Sequence, residues 1–403
     1  TQTARKPNNQ MTSSVTFQIL RPRSGFWLTA GIAADLAVLG LAGAHHMEVE
    51  GHYVTGMNNR VVWGLPHVFA VFLIVSASGA LNAASISSVF GQSLYKPLSR
   101  ISGLLAMALL VGGLTVLVLD LGRPDRLIIA MTYYNFESIF AWNIFLYTGF
   151  LVVVAVYLWM MFEPRMNRFT RSAGTVSFIW RLVLTTGTGS IFGFLVAREA
   201  FDSAVLAPMF IAMSLSFGTA VMLLAMMLVS RLGQVPVSHE ILTRLRTLLA
   251  YFVVAVASFV AIDHLTRMYA AGHTEVEMFL LVEGGIYPWL FWVGQGLLGT
   301  VIPVILLLTP RFAGASQMVV ASLLVLLGAF AQLYVLIIGG QAFPMDIFPG
   351  YIEKSTYYDG VVAGYTPSLP ELALGLGGVG LATLIALVAI RVLPFLPQGS
   401  VKQ

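Results

Sequence analysis

The stretch DLGRPDRLIIAMTYYNFES, residues 120–138, holds the densest group of side chains that can exchange protons or bind a polar ligand. Gly122 and Pro124 end a helix there, so the neighbouring charges lie where hydrocarbon gives way to lipid headgroups. These charges can tie a loop down, receive a partner subunit or bind a quinone head. The phenol, amide and carboxyl groups that follow can hydrogen-bond the carbonyl oxygens of a quinone. The group comprises Asp120, Arg123, Asp125, Arg126, Tyr133, Tyr134, Asn135 and Glu137.

A second titratable group lies later in the sequence and predicts a proton path. Imidazole titrates near neutral pH, and a partly buried carboxylate can be raised toward the same range, so hydrogen-bonded pairs of the two relay protons. Salt bridges that fasten helix ends are the alternative interpretation. Asp35, deep in the first apolar segment, is either a further relay or a structural hydrogen-bonding group. The predicted path comprises Asp263, His264, Glu199, Asp202 and Asp35.

The elements that position these residues are transmembrane helices. Of 403 residues, 58% are hydrophobic and 10% charged, and the mean hydropathy is +0.84, far above the range of soluble domains. Cysteine does not occur in the sequence. This excludes a disulfide scaffold, an iron–sulfur cluster on the protein's own thiolates and covalent c-type haem.

Apolar windows of about 20 residues, each long enough to cross a bilayer, predict an all-α polytopic membrane protein. Residues 25–396 form a single transmembrane domain between polar tails at 1–24 and 397–403. The windows are 25–44, 62–90, 101–120, 139–162, 176–198, 205–230, 247–271, 286–309, 316–339 and 370–396.

The charges indicate how the ten helices are oriented. Most of the 22 basic residues fall on the face that holds both termini, among them Arg165, Arg181 and Arg244, which predicts cytoplasmic termini. Histidine shows the opposite bias, since six of the 7 histidines fall toward the outer face and His239 is the exception. The predicted localisation is the cytoplasmic membrane of a bacterium or archaeon, and nothing in the charge pattern calls for nucleic acid.

An internal repeat relates helices two to five (62–198) to helices six to nine (205–339). Ser78-Gly79-Ala80 aligns near Phe217-Gly218-Thr219, and the helices that follow end in Asp120 and Asp263 respectively. Four helices is an even number, so the two units run in the same direction through the membrane. The predicted architecture is two parallel four-helix bundles flanked by helices one and ten.

The DLGRPDR string, followed by an aromatic-Asn-acid-Ser stretch and a Trp in the next helix, resembles the NrfD-type membrane subunits of the polysulfide reductase family. The stretch NNRVVWGLPHVFAVFLIVSASGALNAASISSVFG is similar, more particularly, to the DsrP subunits of the membrane complex linked to dissimilatory sulfite reductase. The resemblance covers most of the hydrophobic sequence.

This resemblance implies a subunit without haem or iron–sulfur groups of its own that binds menaquinone or ubiquinone near the outer face. Its partner would be a periplasmic ferredoxin-like iron–sulfur subunit, accompanied by a multihaem cytochrome c. The family's pocket histidine matches His45 or His46, with His67 as a rival. The pocket tyrosine matches Tyr133 or Tyr134.

Two other functions fit parts of the sequence. A haem b cytochrome needs two facing axial histidines, which His67 and His264 could supply. A secondary transporter would suit ten helices with a repeat, although its charges should lie near the midplane. The aromatic-rich loop 340–369, which contains Lys354, is predicted to cover the outer face and to meet a partner there together with Asp125, Arg126 and Glu137.

Overall fold

The computed structural model describes residues 16–233, 238–312, 314–345 and 360–398. Long helices dominate these ranges, and nine of them are long and apolar enough to cross a membrane. The prediction of an all-α polytopic membrane protein is therefore confirmed. The ten long helices are α1 Ser24–Glu50, α2 Leu65–Ser88, α3 Ser93–Leu119, α4 Ile139–Phe162, α5 Thr170–Gly193, α6 Leu206–Gly233, α7 His239–Tyr269, α8 Ile286–Leu308, α9 Ala315–Ala342 and α10 Leu369–Val392.

Helix α5 is the one long helix of the described ranges that is too polar to count among those nine. It begins and ends earlier than the predicted span 176–198. Hydropathy alone places the helix over the apolar residues after position 190. In the structure, the polar first half is helical as well, because it packs against α4 and α6. As a correction, Arg181 lies at neither membrane face. It is buried in the middle of α5 and donates to the carbonyl oxygen of Ser78 at 3.2 Å.

The two predicted four-helix bundles are present. Helices α2 to α5 form one closed group and α6 to α9 form the other, while α1 and α10 pack against each other beside the first group. We call these groups the first and second bundles. Corresponding helices α2 and α6 meet side by side, where Gly79 and Gly218 bring the backbones together: a Cβ added to Gly79 would lie 1.6 Å from the carbonyl oxygen of Ser214.

A short antiparallel pair of strands holds both ends of the described protein at one face. Strand β1, Phe17–Gln18, pairs with β2, Leu396–Pro397. We call this end of the helices the terminal face and the other end the distal face. The odd-numbered helices among α1 to α9 run from the terminal to the distal face, and the even-numbered helices return.

Short helices and connections close the distal face. Leu127–Thr132 lies between α3 and α4, and Thr274–Met278 continues into a wider π-helical turn, Phe279–Glu283, before α8. Helix α10 begins in a capping box, in which Ser368 and Glu371 exchange side-chain-to-backbone hydrogen bonds. Of the predicted loop 340–369, residues 340–345 and 360–369 are described and Lys354 lies outside the described residues. As a correction, residues 340–342 belong to the end of α9 and residue 369 to the start of α10.

Candidate functional site

An apolar cavity opens inside the first bundle near the distal face. Its volume is about 400 Å³, within the range of small-molecule sites. Helices α2 to α5 supply most of its wall, and the short helix Leu127–Thr132 closes one side. His67, Asn143 and Tyr147 are its main polar lining residues, and Trp63 lies against the histidine.

His67 stands in the first turn of α2, after Pro66, which suits the start of a helix because proline lacks the amide hydrogen that would have no partner there. Its Nδ1 lies 2.7 Å from Oδ2 of Asp120, the residue that follows α3. The Asp120 side chain is fully buried. Nδ1 is therefore the ring nitrogen that faces the buried carboxylate, and Nε2 is the one turned away from it.

Two further residues hold this pair in place. His52, in the turn after α1, donates from Nε2 to the backbone carbonyl oxygen of Asp120 at 3.0 Å. Trp63 stacks on the His67 ring, with 6.1 Å between ring centroids and an interplanar angle of 26°. The backbone of Trp63 is itself held, because Gln341 of α9 accepts from its amide at 3.0 Å and donates to its carbonyl at 3.0 Å. The second bundle thus positions one wall of a cavity in the first.

The connection between α5 and α6 adds a second link between the two bundles through Arg198. We call the hydrogen bonds of Gln341 and Arg198 together the clasp. Arg198 donates to the carbonyl oxygens of Gln341 and Arg60, both at 2.8 Å. Burial lowers the pKa of Arg198 from its ordinary value. The half-buried guanidinium group ties the segment before α2 to the end of α9.

Asn143 and Tyr147 lie one turn apart on α4 and face the same cavity. The amide of Asn143 donates to the carbonyl oxygens of Ile139 at 2.9 Å and Gly187 at 3.0 Å. Its buried Oδ1 has no hydrogen-bond partner among the described residues. A buried acceptor without a donor is costly, and a ligand hydroxyl would satisfy it.

The other residues of the predicted quinone set lie outside the cavity lining. His45 and His46 are exposed on α1. Arg123, Tyr133 and Asn135 are exposed in the connection after α3, and Tyr134 there is half-buried. Of the predicted set, the structure brings together His67 and Asp120.

Four residues at or near this site were missed from the sequence: His52, Trp63, Asn143 and Tyr147. Asn143 and Tyr147 carry a usable signal, since two polar residues four apart in an apolar helix share a face. His52 and Trp63 are brought in by connections whose path the sequence pattern does not fix.

The charges after α3 form an exposed group at the distal face. Arg123 donates to both carboxylate oxygens of Asp125, at 3.0 and 2.9 Å. This hydrogen bonding lowers the pKa of Asp125 and raises that of Arg123. Arg126 and Glu137 are also exposed. That Asp125, Arg126 and Glu137 meet a partner stays a prediction, with which their exposure is compatible.

The second bundle contains a separate polar cluster at the distal face. His264 Nδ1 lies 2.6 Å from Oε2 of Glu277, and Arg267 Nε lies 3.3 Å from Oδ2 of Asp263 and 4.0 Å from Oε1 of Glu277. Ser203 donates to Asp263 at 2.5 Å. Apart from His264, whose side chain is 18% exposed, the charged members are buried.

This cluster borders a small cavity of about 40 Å³, which is large enough for a water molecule. Gln295 of α8 and Gln332 of α9 line the same cavity. The structure thus brings together Asp263 and His264 of the predicted proton path and adds Glu277. Glu199 contributes its backbone carbonyl to Arg267 at 2.8 Å, Asp202 is exposed in the connection, and Asp35 lies on the outer face of α1.

Three further observations bear on haem, metal and quinone binding. His67 and His264 lie in different bundles, and each is paired with a carboxylate. In the described ranges, no three or more His, Asp or Glu residues are grouped as a metal site. A second large cavity, of about 450 Å³ toward the terminal face, is apolar except for Arg231 and Thr383, so it offers no acid or base to a quinone.

Comparison with known proteins decides the family. The model of the NrfD polysulfide reductase family matches residues 53–345, which include α2 to α9. The protein belongs to this NrfD family. The predicted family is confirmed.

The NrfD relatives include an Hdr-like menaquinol oxidoreductase integral membrane subunit of Archaeoglobus fulgidus, 29% identical over 87% of this sequence and 89% of that protein. One subunit of the polysulfide reductase of Wolinella succinogenes is 26% identical over 71% of this sequence and 96% of its own length. The integral membrane subunit of a menaquinone reductase from Nitratidesulfovibrio vulgaris is 22% identical over 89% of both sequences.

Proposed function

We propose that this NrfD protein is the quinone-binding membrane subunit of a multisubunit oxidoreductase and that the quinone ring binds in the His67 cavity. The observation that carries the proposal is an apolar cavity of ligand size whose polar end presents a histidine backed by a buried carboxylate. Menaquinol and menaquinone appear in the names of two relatives. Menaquinone or ubiquinone would fit the same chemistry.

The residues of the cavity divide the work of binding and proton exchange. A bound quinol supplies two electrons and two protons. His67 would hold or release a proton at Nε2, while Asp120 keeps Nδ1 protonated and stabilises the imidazolium when it forms. The free Oδ1 of Asn143 would accept from a ligand hydroxyl, and Trp63 would restrict water and fix the histidine ring.

The electron acceptor or donor would be a neighbouring subunit at the distal face. We place this face in the periplasm, because the basic residues of the sequence concentrate on the terminal face. The exposed charges Asp125, Arg126 and Glu137 would then meet a periplasmic ferredoxin-like iron–sulfur subunit, with a multihaem cytochrome c as a further member of the complex. A sulfur-metabolising complex of the DsrP type is the setting we favour.

The test is a comparison of three histidine variants in the purified complex. His67→Asn should lower menadiol-linked turnover by about 10²-fold, the usual contribution of a general acid–base group, without loss of subunits on size exclusion. His239→Asn, at an exposed site on the terminal face, is the matched control and should leave turnover unchanged. If His46→Asn abolished turnover and His67→Asn did not, the quinone would bind beside α1 instead.

We also propose that the cluster of Asp263, His264 and Glu277 exchanges protons during turnover. This proposal is supported by the burial of the Asp263 and Glu277 carboxylates beside a water-sized cavity that Gln295 and Gln332 also line. Glu277→Gln should retain most menadiol oxidation and reduce the pH change that follows turnover in sealed vesicles. Equal proton movement in the variant and wild-type complexes would assign the cluster to helix fastening alone.

A further inference from the structure

Asp35 lies on the outer face of α1, away from the protein's own core. The inner face of α1 is fixed by close contact with α10: a Cβ added to Gly40 would lie 2.6 Å from Cα of Gly377, and one added to Gly43 would lie 2.8 Å from the carbonyl oxygen of Pro370. Asp35 points elsewhere and is exposed. Neither polar cluster of the bundles includes it.

The depth of Asp35 makes this exposure unusual. It is the twelfth residue of α1, about 17 Å along the helix axis from its start, which places it near the middle of the hydrocarbon. The exposed side chains around it are apolar, as lipid requires: Leu28, Ile32, Val38 and Leu39. No described residue of the protein forms a hydrogen bond or an ion pair with the Asp35 carboxyl group.

A glycine one turn away leaves room beside the carboxylate. Gly31 shares the exposed face with Asp35, and a Cβ added there would have no atom within 4 Å. The protein's own packing therefore does not require a glycine at this position, in contrast to Gly40 and Gly43. Small residues on transmembrane helices allow another helix to approach closely, and polar side chains hold such helices together.

Lipid tails cannot satisfy a carboxyl group, because they offer no hydrogen-bond donor. A second copy of this protein, packed about a two-fold axis on this face, would bring two Asp35 carboxyl groups together, and at least one of them would have to take up a proton for the pair to form. A different polypeptide with a donor at the same depth satisfies the carboxylate without that proton uptake. Helix α1 also lies outside the range matched by the family model, 53–345, so this face is separate from the common NrfD core.

We propose that the outer face of α1 binds a transmembrane helix of another subunit, and that this helix places a hydrogen-bond-donating side chain against Asp35. The donor would be Lys, Arg, His, a hydroxyl or an amide. Gly31 provides the space for close approach, and the apolar residues around Asp35 provide the rest of the contact. The proposal does not depend on which molecule occupies the His67 cavity.

Photocrosslinking of the full-length protein in its native membranes tests this interface. A benzophenone amino acid at Leu39, one turn beyond Asp35, should crosslink to a membrane-spanning segment of another subunit that carries a donor side chain at the crosslinked depth. Asp35→Leu should lower the yield about tenfold, the loss expected for one interhelical hydrogen bond. Asp35→Asn, which keeps an acceptor, should retain most of the yield.

Thermal unfolding of the isolated protein in detergent provides the second measurement. Asp35→Leu should unfold at the wild-type temperature, since the carboxyl group has no partner within the described residues. A lower crosslinking yield then reports the interface and not a misfolded protein. Crosslinks to lipid only, to a second copy, or to a segment without a donor would overturn the proposal, as would a yield that Asp35→Leu leaves unchanged.

Discussion

At the scale of single residues, Asp120 contacts both His67 and the turn after α1. The carboxylate is fully buried and lies 2.7 Å from Nδ1, and the backbone carbonyl of the same residue accepts from His52. One residue at the end of α3 therefore orients the ring that lines the cavity and also anchors the turn after α1.

Asp120→Asn should keep the shape of the site and remove the negative charge. The amide nitrogen can donate to the ring, which would favour the tautomer with a proton on Nε2 and remove the base that faces the cavity. We expect menadiol-linked turnover to fall by about 10²-fold, with normal assembly. Asp125→Asn removes the charge of an exposed carboxylate in the same segment. It is the control that shows how far a loss of charge at the distal face affects docking. Wild-type turnover in Asp120→Asn would show that the ring does not act as the base.

Sequence reasoning reached Asp120, His67, Asp263 and His264 because ionisable residues at the ends of apolar helices are conspicuous. It did not reach their arrangement. His67 was one of three candidate histidines, and its choice over His45 and His46 for the cavity depends on which face of α1 packs against α10, which a uniformly apolar helix does not reveal. The sequence did not distinguish Glu277 from the neighbouring acidic residues. The structure does, because the short helix Thr274–Met278 places its side chain in the interior.

At the scale of helices, the contact between α2 and α6 depends on two glycines. A Cβ at Gly79 would lie 1.6 Å from the carbonyl oxygen of Ser214, and one at Gly218 would lie 2.0 Å from the carbonyl carbon of Gly79. The internal repeat predicted that these positions correspond. It did not predict that the two glycines touch. A sequence repeat shows which residues of the two bundles correspond, but it does not show how the bundles are arranged in space.

Gly79→Ala should destabilise the protein by several kcal/mol, because the backbones of two helices would have to separate and leave gaps along their length. Gly296→Ala is the matched control: it lies within α8, where a Cβ would meet only the Phe291 carbonyl oxygen at 3.4 Å. Thermal unfolding in detergent measures both. A Gly79→Ala protein as stable as Gly296→Ala would mean that α2 and α6 can move apart at little cost.

At the scale of the whole molecule, the fold places the two polar sites at one face and both described ends of the protein at the other. Hydropathy located all ten helices but not all of their ends: α1 ends six residues after its predicted window, α3 and α7 begin eight residues before theirs, and the whole of α5 is shifted toward the N-terminus. That helix carries Arg181 in its interior and is stabilised by neighbours instead of by lipid, so a scale based on transfer into hydrocarbon misplaces it. The same error assigned Arg181 to the terminal face.

The absence of cysteine from the sequence allows a direct test of orientation. Ser93→Cys lies on the terminal face and Thr274→Cys on the distal face, and both positions are exposed. In intact cells a membrane-impermeant maleimide should label Thr274→Cys, and it should label Ser93→Cys only after the cells are opened. The reverse pattern would invert the assignment of the distal face to the periplasm.

The glycine contact between the bundles also limits how the protein can work. Alternating-access carriers move one repeat as a block against the other, which needs a compliant layer of side chains at the pivot. Here main chain meets main chain about midway along α2 and α6, and we therefore expect the two bundles to move as one unit. Any coupling between the His67 cavity and the cluster of Asp263, His264 and Glu277 would therefore depend on shifts of charge and on the clasp of Gln341 and Arg198. The helices themselves would move very little.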